Sequence, residues 1–327
     1  MDSLIDDLIF MVIDYVGYEN ISNIKFLNQK LIKYPYESYV VSNDVDYEKM
    51  KHLNLWCLQY FVINCNKITK LELTNPKKLV SLNINNTEIS EISKEFVNLE
   101  LLMCNKTKIR EIPKELINLS RLACIDTKIR KIPKELINLT ELICGITRIS
   151  EIPKELVNLT KLSCWNTDLS EIPKELIKLE LLHCGRTHVQ KIPKELINLT
   201  ELICYTLRLS EIPKELVNLK KLICWNTKIC EIPKEFVNLI VLSCGATHLE
   251  KLPKELVNLT VLECWNINLS EIPKEFINLT KLDCWNTNLR ELPKELVNLT
   301  ELDCRHTRIT EIPKELIKLE TSKLSIV

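Results

Sequence analysis

Apolar residues recur along most of the chain at fixed positions of a 20-residue period. From residue 99 to residue 318, eleven consecutive repeats follow L-x-x-L-x-C-x-x-T-x-[IL]-x-[EK]-[IL]-P-K-E-[LF]-[IV]-[NK] without an insertion, as in LTKLSCWNTDLSEIPKELIK at 159–178. Two looser repeats precede them, one from Leu79 and one from Leu58, and a half-repeat begins at Leu319. A period of this exactness predicts a solenoid, in which each repeat forms one coil and buries its apolar side chains against its neighbours.

Within one coil, the pattern predicts a short strand followed by an irregular return. Alternation of apolar and variable residues predicts that Leu162 and Cys164 point into the core, whereas Lys161, Ser163 and Trp165 point outward. The proline of the I-P-K-E-L stretch lacks an N–H group, so it suits a turn better than a sheet interior. The coils therefore stack through parallel strands about 4.8 Å apart.

This pattern resembles the leucine-rich repeat, in which L-x-x-L-x-L-x-x-N-x-L recurs every 20 to 29 residues. The resemblance implies an α/β-type solenoid with a curved parallel β-sheet on its concave face and mostly irregular turns on its convex face. The I-P-K-E-L turn resembles the L-P-x-x-L of bacterial leucine-rich effector proteins. The uniform repeats, rich in Asn, Ile and Lys, also resemble repeat proteins of giant DNA viruses.

Two positions depart from that motif. Cysteine replaces the third leucine, and threonine replaces the usual asparagine in nine of the eleven full repeats, the exceptions being Leu207 and Ile267. The family's asparagine satisfies backbone groups at the turn, so we expect a threonine hydroxyl or a water molecule to do so here.

Eleven of the 14 cysteines form a column with one thiol per coil, from Cys104 to Cys304. A zinc site needs four converging ligands, which such a line does not supply. Cysteine is also a small apolar residue without a strict need for a partner, so we predict that the column packs in the core and binds no metal. Cys57, Cys65 and Cys230 lie off the column, where we expect greater exposure.

The residue after each column cysteine should point outward, and this position holds four of the five tryptophans and three of the four glycines. Because exposed Trp and Tyr often anchor interfaces, we predict a protein partner on the concave face. The predicted binding residues are Trp165, His183, Tyr205, Trp225, Trp265 and Trp285. Between Trp225 and Trp265, the Gly245 coil predicts an open slot about 10 Å wide. Alternatively, the rings stack on one another and cover the sheet.

Residues 1–50 lie outside the repeat and form a separate predicted segment, before a solenoid over 51–327 that is regular from about residue 79. Their helical spacing predicts a small helical N-terminal cap for the first coil. The segment also resembles an F-box, which implies binding to the adaptor of a cullin–RING ubiquitin ligase. The residues on matching apolar positions include Leu4, Leu8, Val12, Ile13, Ile21, Ile24 and Leu27. Ile5 stands where the family has proline, and both interpretations remain open.

The net charge is zero, with 44 basic and 44 acidic residues interleaved, which gives no reason to expect nucleic acid or a membrane as partner. No constellation of catalytic residues is evident, and we expect neither enzyme activity nor a cofactor. The acidic N-terminus does not resemble a secretory signal, so we expect a reducing cytoplasmic location, which is the host cytoplasm if the protein is viral. The predicted function is protein–protein interaction, either as a substrate receptor for ubiquitin transfer or as a free-standing scaffold.

Overall fold

A computed structural model of the chain describes residues 38–41, 59–63, 65–73, 76–319 and 324–325. Their strands form one parallel sheet of 15 strands in sequence order. The strands are β1 (Ser38–Val41), β2 (Tyr60–Ile63), β3 (Ser81–Asn83), β4 (Leu101–Met103), β5 (Arg121–Ala123), β6 (Glu141–Ile143), β7 (Lys161–Ser163), β8 (Leu181–His183), β9 (Glu201–Ile203), β10 (Lys221–Ile223), β11 (Val241–Ser243), β12 (Val261–Glu263), β13 (Lys281–Asp283), β14 (Glu301–Asp303) and β15 (Leu324–Ser325). The predicted stacking of coils through parallel strands is confirmed.

Equivalent residues of successive repeats pair across the sheet, so the 20-residue period becomes the register. For example, Leu222 of β10 is opposite Leu242 of β11, and Leu242 is opposite Leu262 of β12. All three leucines and the column cysteines that follow them are buried. The core is therefore one continuous cluster that runs through the coils, as the inward positions predict.

A tight turn follows each strand. It explains why cysteine, asparagine and threonine recur together, as in the sequence CWNT at 164–167, 224–227 and 284–287. In the coil of β10, the Thr227 hydroxyl donates to the Cys224 carbonyl at 2.7 Å, which satisfies a backbone group as expected. The residue before the threonine has a positive φ, 55° at Asn226. Asparagine tolerates this left-handed conformation better than most residues.

The side of each coil opposite the sheet consists of turns, which we call the turn surface. In the repeat that contains Pro213, the Leu216 N–H donates to the Pro213 carbonyl at 3.2 Å. Asparagine side chains link successive coils there, since Asn218 Nδ2 donates to the Ile197 carbonyl at 2.9 Å. Within the described residues, the helical structure is a single 3-10 turn, Pro76–Lys78.

The predicted helical cap and the F-box-like residues Leu4, Leu8, Val12, Ile13, Ile21, Ile24 and Leu27 lie outside the described residues. Of the segment 1–50, the structure describes Ser38–Val41, which forms strand β1 and pairs with β2. The sheet therefore begins with a strand inside this segment.

Candidate partner-binding surface

The structure brings all six residues predicted for partner binding into one continuous row of rings on the outward side of the sheet. We call this side the sheet surface and the rings the aromatic row. Its members are Trp165, His183, Tyr205, Trp225, Trp265 and Trp285, each partly exposed. His183 belongs to β8 itself, whereas each of the other five follows a column cysteine.

The rings contact one another in chain order. Tyr205 and Trp225 stack with centroids 4.5 Å apart and planes 3° from parallel, and Trp265 and Trp285 stack at 5.9 Å. Trp225 and Trp265 come from coils that are not adjacent, yet their centroids are 6.5 Å apart. The expected interval of about 10 Å between these two rings is therefore wrong, and the stacking considered as the alternative is present.

Three of the residues that follow a column cysteine are glycines, and they explain why the rings of the aromatic row lie so close together. A Cβ atom at Gly245 would lie 2.7 Å from Nε1 of Trp265 and closer still to the ring carbons. Gly185 stands in the same relation to Tyr205, with 2.8 Å to Cζ, and Gly145 to Trp165, with 2.6 Å to Nε1. Each glycine thus provides the space in which the ring of the next coil lies, and no open slot remains at Gly245.

His183 lies between Trp165 and Tyr205. It supplies the ring of this coil, because the residue that follows the column cysteine here is Gly185. Its ring stacks on Trp165 at 6.0 Å, and its Nε2 lies 3.3 Å from the Tyr205 hydroxyl. Burial, together with the positive charge of Lys221, lowers the pKa of His183 to about 4. The imidazole is therefore neutral at neutral pH, and the centre of the row carries no charge of its own.

A column of carboxylates lies beside the C-terminal end of the aromatic row, at Glu263, Asp283 and Asp303. The outer two have cationic partners, since Lys281 Nζ lies 2.9 Å from Glu263 Oε1 and Arg305 Nε donates to Asp303 at 2.9 Å. The central carboxylate, Asp283, makes no ion pair within the described part of the chain and accepts a weak bond from the Trp285 N–H at 3.4 Å.

Burial is the main cause of a raised pKa at Asp283, and the neighbouring Asp303 and Glu263 raise it further. The opposite holds at Asp303, whose pKa is lowered chiefly by its hydrogen bond from Arg305. Asp283 is therefore a half-buried carboxylate between two others, next to the stacked rings of Trp265 and Trp285. A cation placed there would relieve the repulsion and could lie on a ring face.

The cysteine column packs in the core as predicted, because all eleven thiols are buried. Burial raises the pKa of Cys224 to about 12, so its thiol stays protonated. Among the described residues, no group of three or more His, Cys, Asp or Glu side chains could hold a metal ion. Cys230 is exposed as expected, but the same expectation is wrong for Cys65, which is buried, and Cys57 lies outside the described residues.

Comparisons with solved structures place this solenoid among leucine-rich repeat folds. The chain is similar to the Leptospira interrogans leucine-rich repeat protein LIC12759, with 27% identity, a TM-score of 0.69 and 89% of this chain matched to 88% of that one. It has the fold of YopM, a leucine-rich effector protein from Yersinia pestis, at 20% identity, with a TM-score of 0.70 and 83% of each chain covered.

A third similar structure is the plant peptide hormone receptor RGFR1 in complex with RGF2, at 25% identity and a TM-score of 0.61, with 80% of this chain matched to 49% of that one. No protein-family model matches the sequence, and a search of curated proteins found no match. The predicted fold, a leucine-rich repeat solenoid with a parallel sheet, is therefore confirmed. In the described part of the chain, no helix is long and apolar enough to cross a membrane.

Proposed function

We propose that the protein is a binding protein without catalytic activity, which holds an extended, positively charged segment of a partner protein along its sheet surface. The segment would run along the aromatic row and end over the carboxylates of β12 to β14. The observation that carries this proposal is the position of Asp283, a carboxylate without an ion pair in the described part of the chain, beside stacked tryptophans.

The aromatic row supplies the apolar part of such a site. Trp and Tyr are enriched among the residues that anchor interfaces, and truncation of such an anchor typically costs about 2 kcal/mol or more. Stacking fixes the rings before the partner arrives, which reduces the conformational entropy lost on binding. The structural similarity to a receptor that holds a peptide hormone supports a peptide-like partner.

The carboxylates beside the aromatic row would favour a positively charged partner segment over a negatively charged one. Glu263, Asp283, Glu301 and Asp303 carry four negative charges at neutral pH, whereas Lys281 and Arg305 carry two positive ones. A Lys or Arg side chain of the partner can pair with Asp283 and lie against the Trp285 ring at the same time. An acidic segment would meet repulsion at the same place, so the surface discriminates by charge.

A selection from random 12-residue peptides displayed on phage tests the proposal with the full-length protein. Peptides that contain both aromatic or aliphatic residues and Lys or Arg should be enriched. The same selection on Asp283→Lys should lose the preference for cations. Enrichment of acidic peptides, or an identical outcome for both proteins, would contradict the proposed site.

We further propose that residues 1–50 link the solenoid to a ubiquitin ligase, which would make this protein a substrate receptor. The match of Leu4, Leu8 and Val12, with further apolar positions, to the F-box pattern supports this role. The full-length protein should then form a complex with a purified cullin adaptor, and Leu8→Asp should abolish it. Without such a complex, the protein is a free-standing scaffold. The location proposed for either role is the reducing cytoplasm.

A further inference from the structure

A group of cationic side chains lies on one flank of the solenoid, where the chain leaves the tight turn in each of the first three full repeats. Ile109, Ile129 and Ile149 are fully buried in the core at this place. The residues before and after each isoleucine are exposed, so they point away from the core. We call this surface the basic flank, and its exposed cationic residues are Lys106, Lys108, Arg110, Lys128, Arg130, Lys131 and Arg148.

Cations of adjacent coils are stacked on the basic flank. The Lys128 N–H donates to the Ile109 carbonyl of the preceding coil at 3.0 Å, and the Lys108 N–H donates to the Ile89 carbonyl at the same distance. These bonds hold equivalent residues in register, so that Lys108, Lys128 and Arg148 form a column with backbones about 4.8 Å apart. Like charges that face one another at such a distance are destabilising.

The first position of the strands shows a different arrangement of charge. Charged residues of adjacent coils have opposite signs there, and they form ion pairs across the sheet. Lys161 Nζ lies 2.9 Å from Glu141 Oε1, and Lys221 Nζ lies 3.4 Å from Glu201 Oε2. The repeat can therefore alternate charges from coil to coil, whereas the column on the basic flank repeats one sign at a cost in stability.

The carboxylates interspersed on the basic flank do not neutralise it. Glu111, Asp126 and Glu151 are the three carboxylates at these positions, against seven cations. In the part of the chain that the structure describes, none of the three forms an ion pair, and the ion pair of the flank joins Lys108 to Glu88 at 3.6 Å. The flank therefore keeps an excess of positive charge, which attracts an anionic partner.

The length of the cationic column limits the kind of anion that fits. Glu88 occupies the equivalent position in the coil before Lys108, and Asp168 occupies it in the coil after Arg148. A long polyanion such as nucleic acid would extend beyond three coils and meet these carboxylates. The three coils also contain no Trp, Tyr or Phe on which bases could stack. The flank therefore suits a short group with dense negative charge.

We propose that the basic flank binds a phosphorylated segment of a partner protein. A phosphoserine carries about two negative charges and three acceptor oxygens at neutral pH, so one phosphate can pair with cations of two adjacent coils. Guanidinium groups, such as those of Arg130 and Arg148, bind phosphate through two parallel hydrogen bonds. The column of three cations suits two phosphates, one for each interval. The flank shares no residue with the aromatic row, so this inference goes beyond the function proposed for that surface.

Fluorescence anisotropy with the full-length protein tests the chemistry of the ligand. The probe is a fluorescein-labelled peptide, Gly-Ser-pSer-Gly-pSer-Gly-Ser, and a comparison peptide has glutamate in place of each phosphoserine. The phosphorylated peptide should bind at least about tenfold more tightly than the glutamate peptide, because each phosphate carries more charge. Equal affinities, or no binding of the phosphorylated peptide at low ionic strength, would overturn the proposal. Tighter binding of a labelled RNA of twelve adenosines would also overturn it, in favour of nucleic acid.

Two matched variants of the full-length protein locate the binding. Lys128→Glu/Arg148→Glu reverses two charges of the basic flank, and Arg208→Glu/Lys228→Glu makes the same change at the equivalent positions of two later coils. All four side chains are exposed, so both variants should fold like the parent. The first should bind the phosphorylated peptide at least about tenfold more weakly, and the control should stay within about twofold of the parent. An equal loss in both variants would show attraction to the charge of the whole protein and would overturn the proposed site.

Discussion

The indole of Trp265 lies on Gly245 of the preceding coil so closely that a Cβ atom there would stand 2.7 Å from the indole nitrogen. The glycine has no positive φ that would require it for backbone reasons. Its function is steric, because it leaves room for a ring that would otherwise stand away from the sheet. The ring in turn approaches Trp225 and stacks on Trp285.

Gly245→Ala should therefore destabilise the protein by displacing Trp265, and we expect a loss of about 1–3 kcal/mol in the free energy of unfolding. In a Trp265→Ala background the same substitution should cost little. Urea titrations of the four proteins of this double-mutant cycle measure the coupling. An equal loss in both backgrounds would show that Gly245 acts independently of the ring.

The left-handed turn position offers a stabilising substitution at Ile146. This residue has a φ of 53° and is 39% exposed, so its β-branched side chain is strained without being buried. Because a left-handed conformation costs an ordinary residue roughly 1–2 kcal/mol, Ile146→Asn should raise the free energy of unfolding by about 1 kcal/mol. The reverse substitution at an equivalent position, Asn166→Ile, should lower it by a similar amount. A decrease for Ile146→Asn would contradict this account of the turn.

The cysteine column provides a test of the core. Cys204 is fully buried, and burial together with its neighbours Cys224 and Cys184 raises its pKa well above the usual value. Cys204→Asp should cost about 3–5 kcal/mol, since it leaves an unpaired charge in the core. Cys204→Val should cost less than about 1.5 kcal/mol. If thermal unfolding of the aspartate variant matched that of the parent, residue 204 would not be inside.

The negative charge of Asp283 should strengthen the binding of a cationic peptide and lower the stability of the folded protein. Its raised pKa means that the folded protein disfavours the carboxylate, so the contribution of Asp283 to stability falls as pH rises from the ordinary aspartate pKa to the raised one. Asp283→Asn removes this effect, and the variant should be at least as stable as the parent at pH 7. It should also bind a cationic peptide about fivefold more weakly, as expected for loss of one partly exposed ion pair.

The pH dependence of peptide affinity distinguishes the effect of the Asp283 charge from an effect of the substitution on the shape of the surface. Affinity of the parent for the cationic peptide should fall on acidification through the raised pKa of Asp283, and the affinity of Asp283→Asn should lack that step. A step of the same size in both proteins would assign it to another group.

The fold and the inward positions could be predicted from the sequence because a strict period fixes both register and side-chain direction. The left-handed turn could also have been found, since Asn or Asp occupies this position in six coils, at 86, 126, 166, 226, 266 and 286. The inclination of Trp265 toward Gly245 could not, because the period does not determine how far a ring leans toward its neighbour.

The central claim is that the aromatic row and the carboxylates beside it form a surface for a cationic protein segment. Trp225 and Trp265 lie at its centre, and truncation of both also removes ring contacts worth about 0.5–1.5 kcal/mol each, so some stability will be lost. A matched control is Ile177→Ala with Ile197→Ala, which removes two exposed side chains from the turn surface.

The most direct measurement is the fluorescence anisotropy of a labelled peptide from the phage selection, titrated with the full-length parent, with Trp225→Ala/Trp265→Ala and with the turn-surface control. At a temperature where all three proteins are folded, we predict that the tryptophan variant binds at least about thirtyfold more weakly, as expected for the loss of about 2 kcal/mol or more. The control should bind like the parent. Unchanged affinity in the folded tryptophan variant would contradict the claim that the partner lies on the aromatic row.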